Sequence, residues 1–526
     1  MKRHDLQFVS IPRMVLSSVK RYGAAEAVVD LDAGLRWSFA DVAERMIESV
    51  RAAIAFGVRP GDRVALWAPN GAHWIAAALG VLGAGAILVP LNTRFKGGEA
   101  AYILRKSGAK AVLTVPKFLG NDYMSMLRAE KVGIPVVLVG PDCVDGTTAW
   151  TDYLTAGAAV EESTARTRIE AVGSDDLSDI MFTSGTTGAP KGVMLTHGQS
   201  LRAFGYLTDV FTFTPGDRYL IVPPFFHTFG YKCGWMACLM QGVCAIPQPV
   251  FDADVVLGRL AGEKVSILLG PPTLFADIIA HPGRRELDLS RLRVAVPSAA
   301  NVPASLYTQL RDELGFTVVL SAYGLTEATS LVSTSDPGDD LDDIANSVGR
   351  PARDVEVKIV DDTGAEVPVG EPGEILVRGY TVMRGYWEDP QATAAVIDSE
   401  GWLHTGDIAT MNERGFLKIV DRKKDMFIVG GFNAYPAEIE HVLRQHDHIA
   451  DAAVIGVPDE RMGEVGAAFV IAENLTEEAL IAWARQRLAN YKVPRHVIFV
   501  DEIPRNASMK ILKGPLREQW AHRTTL

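Results

Sequence analysis

Hydroxyl-bearing residues and glycines cluster around one lysine between Thr183 and Gly192. This segment contains three glycines, four hydroxyl side chains and Lys191, and it follows an apolar run at 180–182 that is typical of a buried strand. Glycines let backbone amides approach an anion, hydroxyl groups donate to phosphate oxygens, and a lysine adds positive charge. A lone loop of this kind is usually a flexible polar turn, but the combination favours a phosphate-binding loop. Pro190 before the lysine and a glycine after it distinguish the segment from the P-loop of nucleoside triphosphatases.

Four further motifs combine aromatic, acidic or basic residues with glycines. They are Tyr323-Gly324-Leu325-Thr326-Glu327, Gly401-Trp402-Leu403-His404-Thr405-Gly406-Asp407, residues 421–433 with Arg422, Lys424, Gly430 and Gly431, and Pro504-Arg505-Asn506-Ala507-Ser508-Met509-Lys510. Taken alone, Tyr323 is more typical of a core aromatic and Asp407 of a turn. A lone lysine near a chain end, such as Lys510, is normally a surface residue. The number and order of the motifs therefore carry the interpretation.

The five motifs, in this order, resemble the signatures of the adenylate-forming superfamily, which includes acyl-CoA synthetases, peptide-synthetase adenylation domains and beetle luciferases. They cover the chain from Thr183 to Lys510. The resemblance implies an enzyme that uses ATP, Mg²⁺ and coenzyme A to turn a carboxylic acid into an acyl adenylate and then a thioester. A carboxylate is already a nucleophile, so adenylation needs two anions brought together and charge stabilised at phosphorus rather than a general base.

The resemblance also assigns roles around the triphosphate. Thr326 would contact the α-phosphate, and Glu327 would hold Mg²⁺, a hard cation that prefers oxygen ligands. The β- and γ-phosphates would be held by Thr183, Ser184, Gly185, Thr186, Thr187, Gly188 and Lys191.

On the nucleoside side, Tyr323 would stack on adenine and Asp407 would accept from both ribose hydroxyls. Arg422 would meet the ribose or a phosphate. Lys510 would bridge the α-phosphate and the attacking carboxylate in the transition state. Met509 stands where the family usually has glycine, so the position of Lys510 is open.

The segment from Pro223 to Lys232 resembles the family region that borders the acyl site. His227 is either an aromatic gate or a structural histidine. Lys232 is expected to extend to the surface along its aliphatic stem, with a contact to a polar group of the substrate as the alternative. An acid with an apolar body is predicted from five aromatic residues that we expect around the pocket, namely Phe225, Phe226, Phe229, Tyr231 and Trp235.

The thiol must reach the same carbonyl as Lys510, which implies motion between two half-reactions. The resemblance places the hinge at Lys424. Gly430 and Gly431 would form the narrow passage for pantetheine, because only glycine leaves such room.

These residues need a scaffold, and the pattern of apolar runs indicates an α/β fold. Short apolar runs alternate with helical patterns before residue 320, which predicts parallel sheets. Short strands joined by Asp-Gly or Pro-Gly turns follow from about Val355, and a small α+β unit ends the chain. We therefore predict a large N-terminal domain of parallel αβ sheets with a small β-rich subdomain over 1–421, and a small mobile C-terminal domain over 422–526.

Composition limits the partners. The net charge of −12 argues against broad binding to nucleic acid or anionic membranes, and four irregularly spaced cysteines predict neither a disulfide scaffold nor a metal site. The most membrane-like stretch, 74–91, is interpreted as a buried helix, a glycine turn and a strand. We predict a cytoplasmic enzyme without an integral membrane span, with a small-molecule carboxylic acid as substrate and a homodimer as a possible state.

The leading functional hypothesis is an acyl-CoA ligase, and the motifs around His227 and Tyr323 look similar to those of bacterial fatty-acid and steroid-fragment CoA ligases. The first alternative is a stand-alone adenylating enzyme that loads a carrier protein. A luciferase-like monooxygenase is remote. A degenerate nucleotide-binding scaffold is the non-enzymatic alternative, although it predicts the loss of catalytic positions that this chain retains.

Overall fold

A computed structural model describes residues 7–183, 189–298, 302–361, 363–422, 427–434, 436–504, 511 and 513–524. Two seven-stranded sheets form the centre of the N-terminal part, and most of their strands run parallel. One sheet contains, in spatial order, Val318–Val319, Val294–Pro297, Ile267–Gly270, Arg218–Ile221, Cys244–Pro247, Glu26–Asp30 and Leu35–Ser38. The other contains Lys191–Thr196, Leu177–Thr183, Ile87–Pro90, Arg63–Trp67, Ala111–Thr114, Val136–Leu138 and Thr148–Ala149.

Helices connect and cover these strands. They span Ile11–Tyr22, Phe39–Ala55, Ala72–Gly83, Gly97–Ser107, Tyr123–Ala129, Trp150–Gly157, Glu162–Ala171, His197–Val210, Thr228–Gly230, Ala237–Gln241, Ala253–Gly262, Pro272–Ala280, Ala304–Asp312, Leu341–Asn346 and Pro390–Ala394. Shorter turns of 3₁₀-helix span Pro282–Glu286, Thr326–Ala328 and Asn490–Lys492, and a π-helix spans Tyr231–Met236. The apolar strands are buried on both faces, as is usual where helices cover a parallel sheet.

The stretch that most resembles a membrane segment is part of this core. It forms the buried helix Ala72–Gly83 and the central strand Ile87–Pro90, as the sequence predicts. Within the described residues, no helix is both long enough and apolar enough to cross a membrane.

The β-rich subdomain is antiparallel. Its main sheet has four strands, Val355–Val360, Gly373–Gly379, Leu403–Met411 and Leu417–Arg422. A three-stranded sheet of Ala322–Tyr323, Ser333–Thr334 and Arg350–Pro351 lies before it in the chain, and a small hairpin pairs Lys117–Phe118 with Asn121–Asp122.

The C-terminal residues form a separate unit with its own apolar core, which runs from Phe427 to Leu516. Its sheet contains Phe432–Ala434, Phe427–Val429, Gly463–Ala472, Ile449–Asp459 and His496–Phe499, and its helices span Pro436–Leu443, Glu477–Arg485 and Lys513–Thr524. The predicted fold class, a large α/β part with a β-rich subdomain and a small α+β unit, is confirmed. The boundary at residues 421 and 422 stays a prediction.

Candidate active site

One large cavity lies where three parts of the molecule meet. Its volume is about 1670 Å³, and residues at or just after the carboxyl ends of parallel strands line it, among them Pro90, Thr183 and Val222. Asp407 lines it from the β-rich subdomain and Gly430 from the C-terminal unit. Ligands of open α/β sheets bind at this edge of the strands. The cavity therefore collects described residues from four of the five predicted motifs.

A carboxylate, a hydroxyl group and a phenol are linked at the phosphate end of the cavity. Glu327, in the 3₁₀ turn Thr326–Ala328, accepts hydrogen bonds from the Thr183 hydroxyl at 3.2 Å and from the Tyr386 hydroxyl at 3.1 Å. The Lys191 ammonium lies 5.2 Å from the centre of the Tyr386 ring. The fold thus brings together residues that are 144 positions apart.

Glu327 lies deep in the protein, although one side of it remains open to the cavity. Burial raises its pKa, and the nearby Asp407 acts in the same direction, while its hydrogen bonds oppose the rise. A cation beside this group would favour the ionised carboxylate. Glu327 is therefore suited to hold a positively charged ligand.

Asp407 and Tyr323 form the nucleoside side of the cavity. The Tyr323 hydroxyl donates to Asp407 Oδ2 at 2.5 Å, and Asp407 is buried, with only 7% of its surface exposed. Arg422 lies opposite Asp407 in the antiparallel pairing of the last two strands of the β-rich sheet. This register places the backbone of Arg422 at the nucleoside side, as its predicted contact with ribose or phosphate requires.

A tight turn supports the motif from Tyr323 to Glu327. A Cβ atom on Gly324 would stand 2.2 Å from the backbone of Ser330, so only glycine allows this close approach. Thr329 and Ser330 adopt positive φ values of 51° and 57°. The Ser330 and Thr228 hydroxyl oxygens lie 2.5 Å apart, which joins the turn to the predicted acyl segment.

His227 lies on the cavity wall at the start of a short helix. Its Nδ1 accepts from the Phe229 backbone N–H at 3.2 Å, which fixes the orientation of the ring. Burial by the surrounding protein lowers the pKa of His227, although the residue is exposed on its cavity side. The ring is positioned as a gate would be, and this role stays a prediction.

The predicted set of pocket aromatics is only partly right. Phe226 and Phe229 line the cavity, but Phe225, Tyr231 and Trp235 pack around Trp74 in the core. Tyr231 and Trp235 lie in the π-helix Tyr231–Met236, which is kinked at Gly234, and both rings pack toward Trp74. Other aromatic or apolar residues supply the cavity wall, including Phe204, Leu207, Phe211, Leu274 and Tyr307.

The prediction that Lys232 extends to the surface is wrong. Lys232 is fully buried in the π-helix, its Nζ lies 2.9 Å from Asp179 Oδ1, and it donates to the Ser200 hydroxyl at 2.8 Å. Burial lowers the pKa of Lys232, and Asp179 opposes that effect. The lysine therefore links the acyl segment to the strand that leads into the phosphate loop, and it does not contact the cavity.

The C-terminal unit presents two glycines to the cavity. Gly430 and Gly431 have φ values of 54° and 84°, and a Cβ atom on Gly431 would stand 2.9 Å from Pro271 of the N-terminal part. Larger residues at these positions would be strained and would close the gap between the two parts. The close approach to the N-terminal part is at Gly431, and the role of the two glycines as a passage for pantetheine stays a prediction.

Some predicted residues lie outside the described part of the chain. They are Ser184, Gly185, Thr186, Thr187, Gly188, Lys424 and Lys510, together with Met509. One site residue was missed by the sequence analysis, since Tyr386 contacts both Lys191 and Glu327. An aromatic residue directly after a glycine, here Gly385 with a φ value of 131°, was the available signal.

Known families and proteins match almost the entire chain. A family model described as AMP-binding enzyme matches residues 16–387, and one described as AMP-binding enzyme C-terminal domain matches residues 438–510. A 3-[(3aS,4S,7aS)-7a-methyl-1,5-dioxo-octahydro-1H-inden-4-yl]propanoyl:CoA ligase from Rhodococcus jostii (strain RHA1) is 44% identical over 528 residues, covering 98% of this chain and 99% of the relative. The ligase of the same name from Mycobacterium tuberculosis (strain ATCC 25618 / H37Rv) is 46% identical over 490 residues, covering 92% and 94%.

A solved structure has the same fold. A double mutant of the o-succinylbenzoate CoA synthetase from Bacillus subtilis, bound to its product analogue, is similar with a TM-score of 0.81. The identity is 27%, and the match covers 96% of this chain and 98% of that one.

Proposed function

This chain belongs to the AMP-binding enzyme family, and from that premise we propose an ATP-dependent acyl-CoA ligase that acts on an acid with a bulky apolar body. One observation carries the proposal. A single cavity joins the residues suited to a nucleotide, an apolar wall and the passage beside Gly430 and Gly431. All three substrates can therefore reach one reacting carbonyl, which is the requirement for catalysis by proximity.

In the first half-reaction, an oxygen of the substrate carboxylate attacks the α-phosphorus of ATP, and pyrophosphate leaves with the electrons of the broken bond. We infer that the Lys191 ammonium neutralises and orients the leaving phosphates, while the Thr183 hydroxyl keeps its hydrogen bond to Glu327. Asp407, held by Tyr323, fixes the ribose. Lys510 would bring positive charge to both reacting anions, and this role rests on the family motif alone.

The site fits Mg²⁺. Glu327 offers a carboxylate oxygen beside the Thr183 hydroxyl, and protein sites for this ion commonly use one or two carboxylates together with substrate phosphates. No cluster of three or more His, Cys, Asp or Glu side chains suited to a metal occurs in the described ranges. Bound Mg²⁺ supplies positive charge to phosphate oxygens. Thr183 and Tyr386 orient the carboxylate that would hold it.

In the second half-reaction, the sulfur of coenzyme A forms a bond to the acyl carbon, the bond from that carbon to the AMP phosphate oxygen breaks, and AMP leaves with the electron pair while the thiol proton passes to solvent. We infer that pantetheine passes between Gly431 and Pro271. Lys510 and the thiol cannot occupy the same side of the carbonyl at once, so the C-terminal unit must move, with Lys424 as the proposed hinge.

For the acid, we propose a fused-ring compound with a short carboxylate arm. The two relatives at 44% and 46% identity are named for a bicyclic propanoyl substrate. Phe204, Phe211 and Tyr307 line the cavity and supply apolar surface, which suits a ring system of this kind. A medium-chain fatty acid is the nearest competing substrate.

The two alternative functions differ from the ligase in the acceptor of the acyl group or in lacking catalysis. A carrier-loading enzyme would transfer the acyl group to a protein-bound thiol, and a degenerate scaffold would bind ATP without releasing pyrophosphate. A homodimer and a cytoplasmic location stay predictions of the sequence.

The test is a panel of acids assayed by pyrophosphate release, with and without coenzyme A. The panel contains a bicyclic propanoate, octanoate, palmitate and leucine. We expect the highest kcat/KM for the bicyclic acid, product formation only with coenzyme A, and poor turnover of leucine. Efficient turnover of leucine would refute the apolar acid, and acyl transfer only to a carrier protein would refute the ligase.

A further inference from the structure

A buried cluster of three charged groups joins the C-terminal unit to the N-terminal part. Lys492, which is 1% exposed, lies with its Nζ 2.9 Å from Glu99 Oε1 and 2.5 Å from Glu438 Oε1. Glu99 belongs to the N-terminal part, whereas Glu438 and Lys492 belong to the C-terminal unit. One ammonium group therefore bridges two carboxylates across the boundary between the two parts.

Both carboxylates lie in the first turn of a helix, and Glu99 is also held by a backbone hydrogen bond. Glu99 lies in the first turn of the helix Gly97–Ser107, where its Oε2 accepts from the Lys96 backbone N–H at 2.9 Å. Its other oxygen is thereby directed at Lys492. Glu438 lies in the first turn of the helix Pro436–Leu443. Acidic side chains are favoured at helix N-termini, so both positions suit a carboxylate.

The surroundings make this contact dry and specific. Lys492 Nζ lies 4.8 Å from the centre of the Phe95 ring, and the neighbouring Tyr491 hydroxyl accepts from Asn92 Nδ2 at 3.3 Å. Burial acts to lower the pKa of Lys492, but Glu99, Tyr491 and Glu438 outweigh it and hold that pKa well above the ordinary value. Lys492 therefore keeps its charge inside the contact.

The bridge belongs to one particular arrangement of the two parts. In it, Gly430, Gly431 and Tyr491 line the cavity, whereas Pro504, the described residue of the terminal motif, and Ile511 just after that motif are not among the lining residues. The C-terminal unit therefore turns toward the cavity the surface with Gly430 and Gly431, which thioester formation requires. Rotation of the C-terminal unit would separate Glu99 from Lys492.

We propose that Lys492 is a positioning residue for thioester formation, because its bridge from Glu438 to Glu99 holds the C-terminal unit in the arrangement that opens the Gly430–Gly431 passage to the acyl adenylate. This inference rests on the proposed ligase function and its two half-reactions. The adenylation step uses the other arrangement, so it does not need the bridge.

The decisive variant is Glu99→Gln, which keeps the shape of the side chain and leaves the Lys492–Glu438 pair intact. Breaking one partner of a buried, hydrogen-bonded charge pair at an interface typically weakens it by about 30-fold or more. We expect thioester formation from supplied acyl adenylate and coenzyme A to fall by at least that factor. Pyrophosphate exchange should stay within about threefold of wild type.

Glu130→Gln is the matched control. Glu130 packs against Gly97, the first residue of the helix Gly97–Ser107 that carries Glu99, but it takes no part in the bridge to Lys492. Both half-reactions should be unchanged in this variant. Lys492→Met should reproduce the selective loss, and combining it with Glu99→Gln should add little, since both remove the same interaction.

The outcomes separate the inference from the function on which it rests. If the wild type forms no thioester from the supplied adenylate, the ligase proposal fails. If the wild type does so and Glu99→Gln either matches it or loses both half-reactions equally, the positioning role is refuted. If Glu99→Gln does not fold, Glu99→Asp, which keeps the charge but shortens the reach, must show the selective loss or the inference is wrong.

Discussion

The buried pair of Lys232 and Asp179 gives the sharpest test of the packing behind the site. Both side chains have 0% exposure, and their charged atoms lie 2.9 Å apart. Lys232→Met removes the ammonium but leaves the Asp179 carboxylate buried, with the Ser178 hydroxyl at 2.6 Å as a remaining donor. Asp179→Asn leaves a buried ammonium with the Ser200 hydroxyl. Neither remaining hydroxyl group neutralises the charge.

Removing one partner of a buried ion pair costs about 3–5 kcal/mol of folding free energy. We expect each single variant to lose that amount, which corresponds to a fall in melting temperature of roughly 3–6 °C for a part of this size. The double variant Lys232→Met/Asp179→Leu buries no charge, so it should lose far less than the sum of the two single losses. The losses are not additive because the double variant no longer has to bury an unpaired charge, so the cost of desolvating that charge disappears.

The measurement is urea and thermal unfolding followed by tryptophan fluorescence. Arg166→Met is the matched control, because Arg166 and Glu162 form an ion pair of 2.6 Å with both side chains about half exposed. That pair should contribute less than about 1 kcal/mol. The reasoning is refuted if the single variants resemble this control, or if the losses in the double variant simply add.

Three further predictions concern the site and its surroundings. Burial, and then Lys232, lower the pKa of His197 to about 3, so below about pH 6.5 the unfolded chain binds a proton that the folded chain does not bind. The free energy of unfolding should therefore fall as the pH drops from 6.5 towards 3, by about 2 kcal/mol at pH 5. Urea midpoints measured at pH 7 and pH 5 should show a smaller loss for His197→Gln than for the wild type. Glu327→Gln should raise the Mg²⁺ concentration needed for half-maximal pyrophosphate exchange, and an unchanged titration would leave Glu327 a structural role only. Lys510→Ala should nearly abolish pyrophosphate exchange but spare thioester formation from supplied adenylate; exchange within a few-fold of wild type would mean that Lys510 is misassigned.

Periodicity and turn signals were sufficient for much of the scaffold. Parallel strands such as Arg63–Trp67 and Ala111–Thr114 lie before residue 320, where the alternating apolar runs predicted parallel sheets, and the strands of the main antiparallel sheet begin at Val355 as expected. The long strand Gly463–Ala472 was missed, because glycine and alanine weaken the pattern of a strand that is nevertheless buried between its neighbours.

Long-range partners were not readable from the sequence. Lys232 looked like a surface lysine because nothing near it in the chain is acidic, and Asp179 reaches it only through the fold. Glu99 and Lys492 are 393 positions apart, so no local pattern relates them. The direction of Tyr231 and Trp235 depends on a π-helix, which a regular helical period cannot predict.

The central claim is that one cavity makes an acyl adenylate and then passes the acyl group to coenzyme A. The most direct test is a single-turnover reaction of the purified chain with ATP, Mg²⁺ and the bicyclic propanoate, quenched over time and analysed by mass spectrometry. The account predicts that acyl-AMP accumulates without coenzyme A and is converted to acyl-CoA and AMP when coenzyme A is added. Acyl-AMP that persists in the presence of coenzyme A, or no acyl-AMP with any acid of the panel, would contradict it.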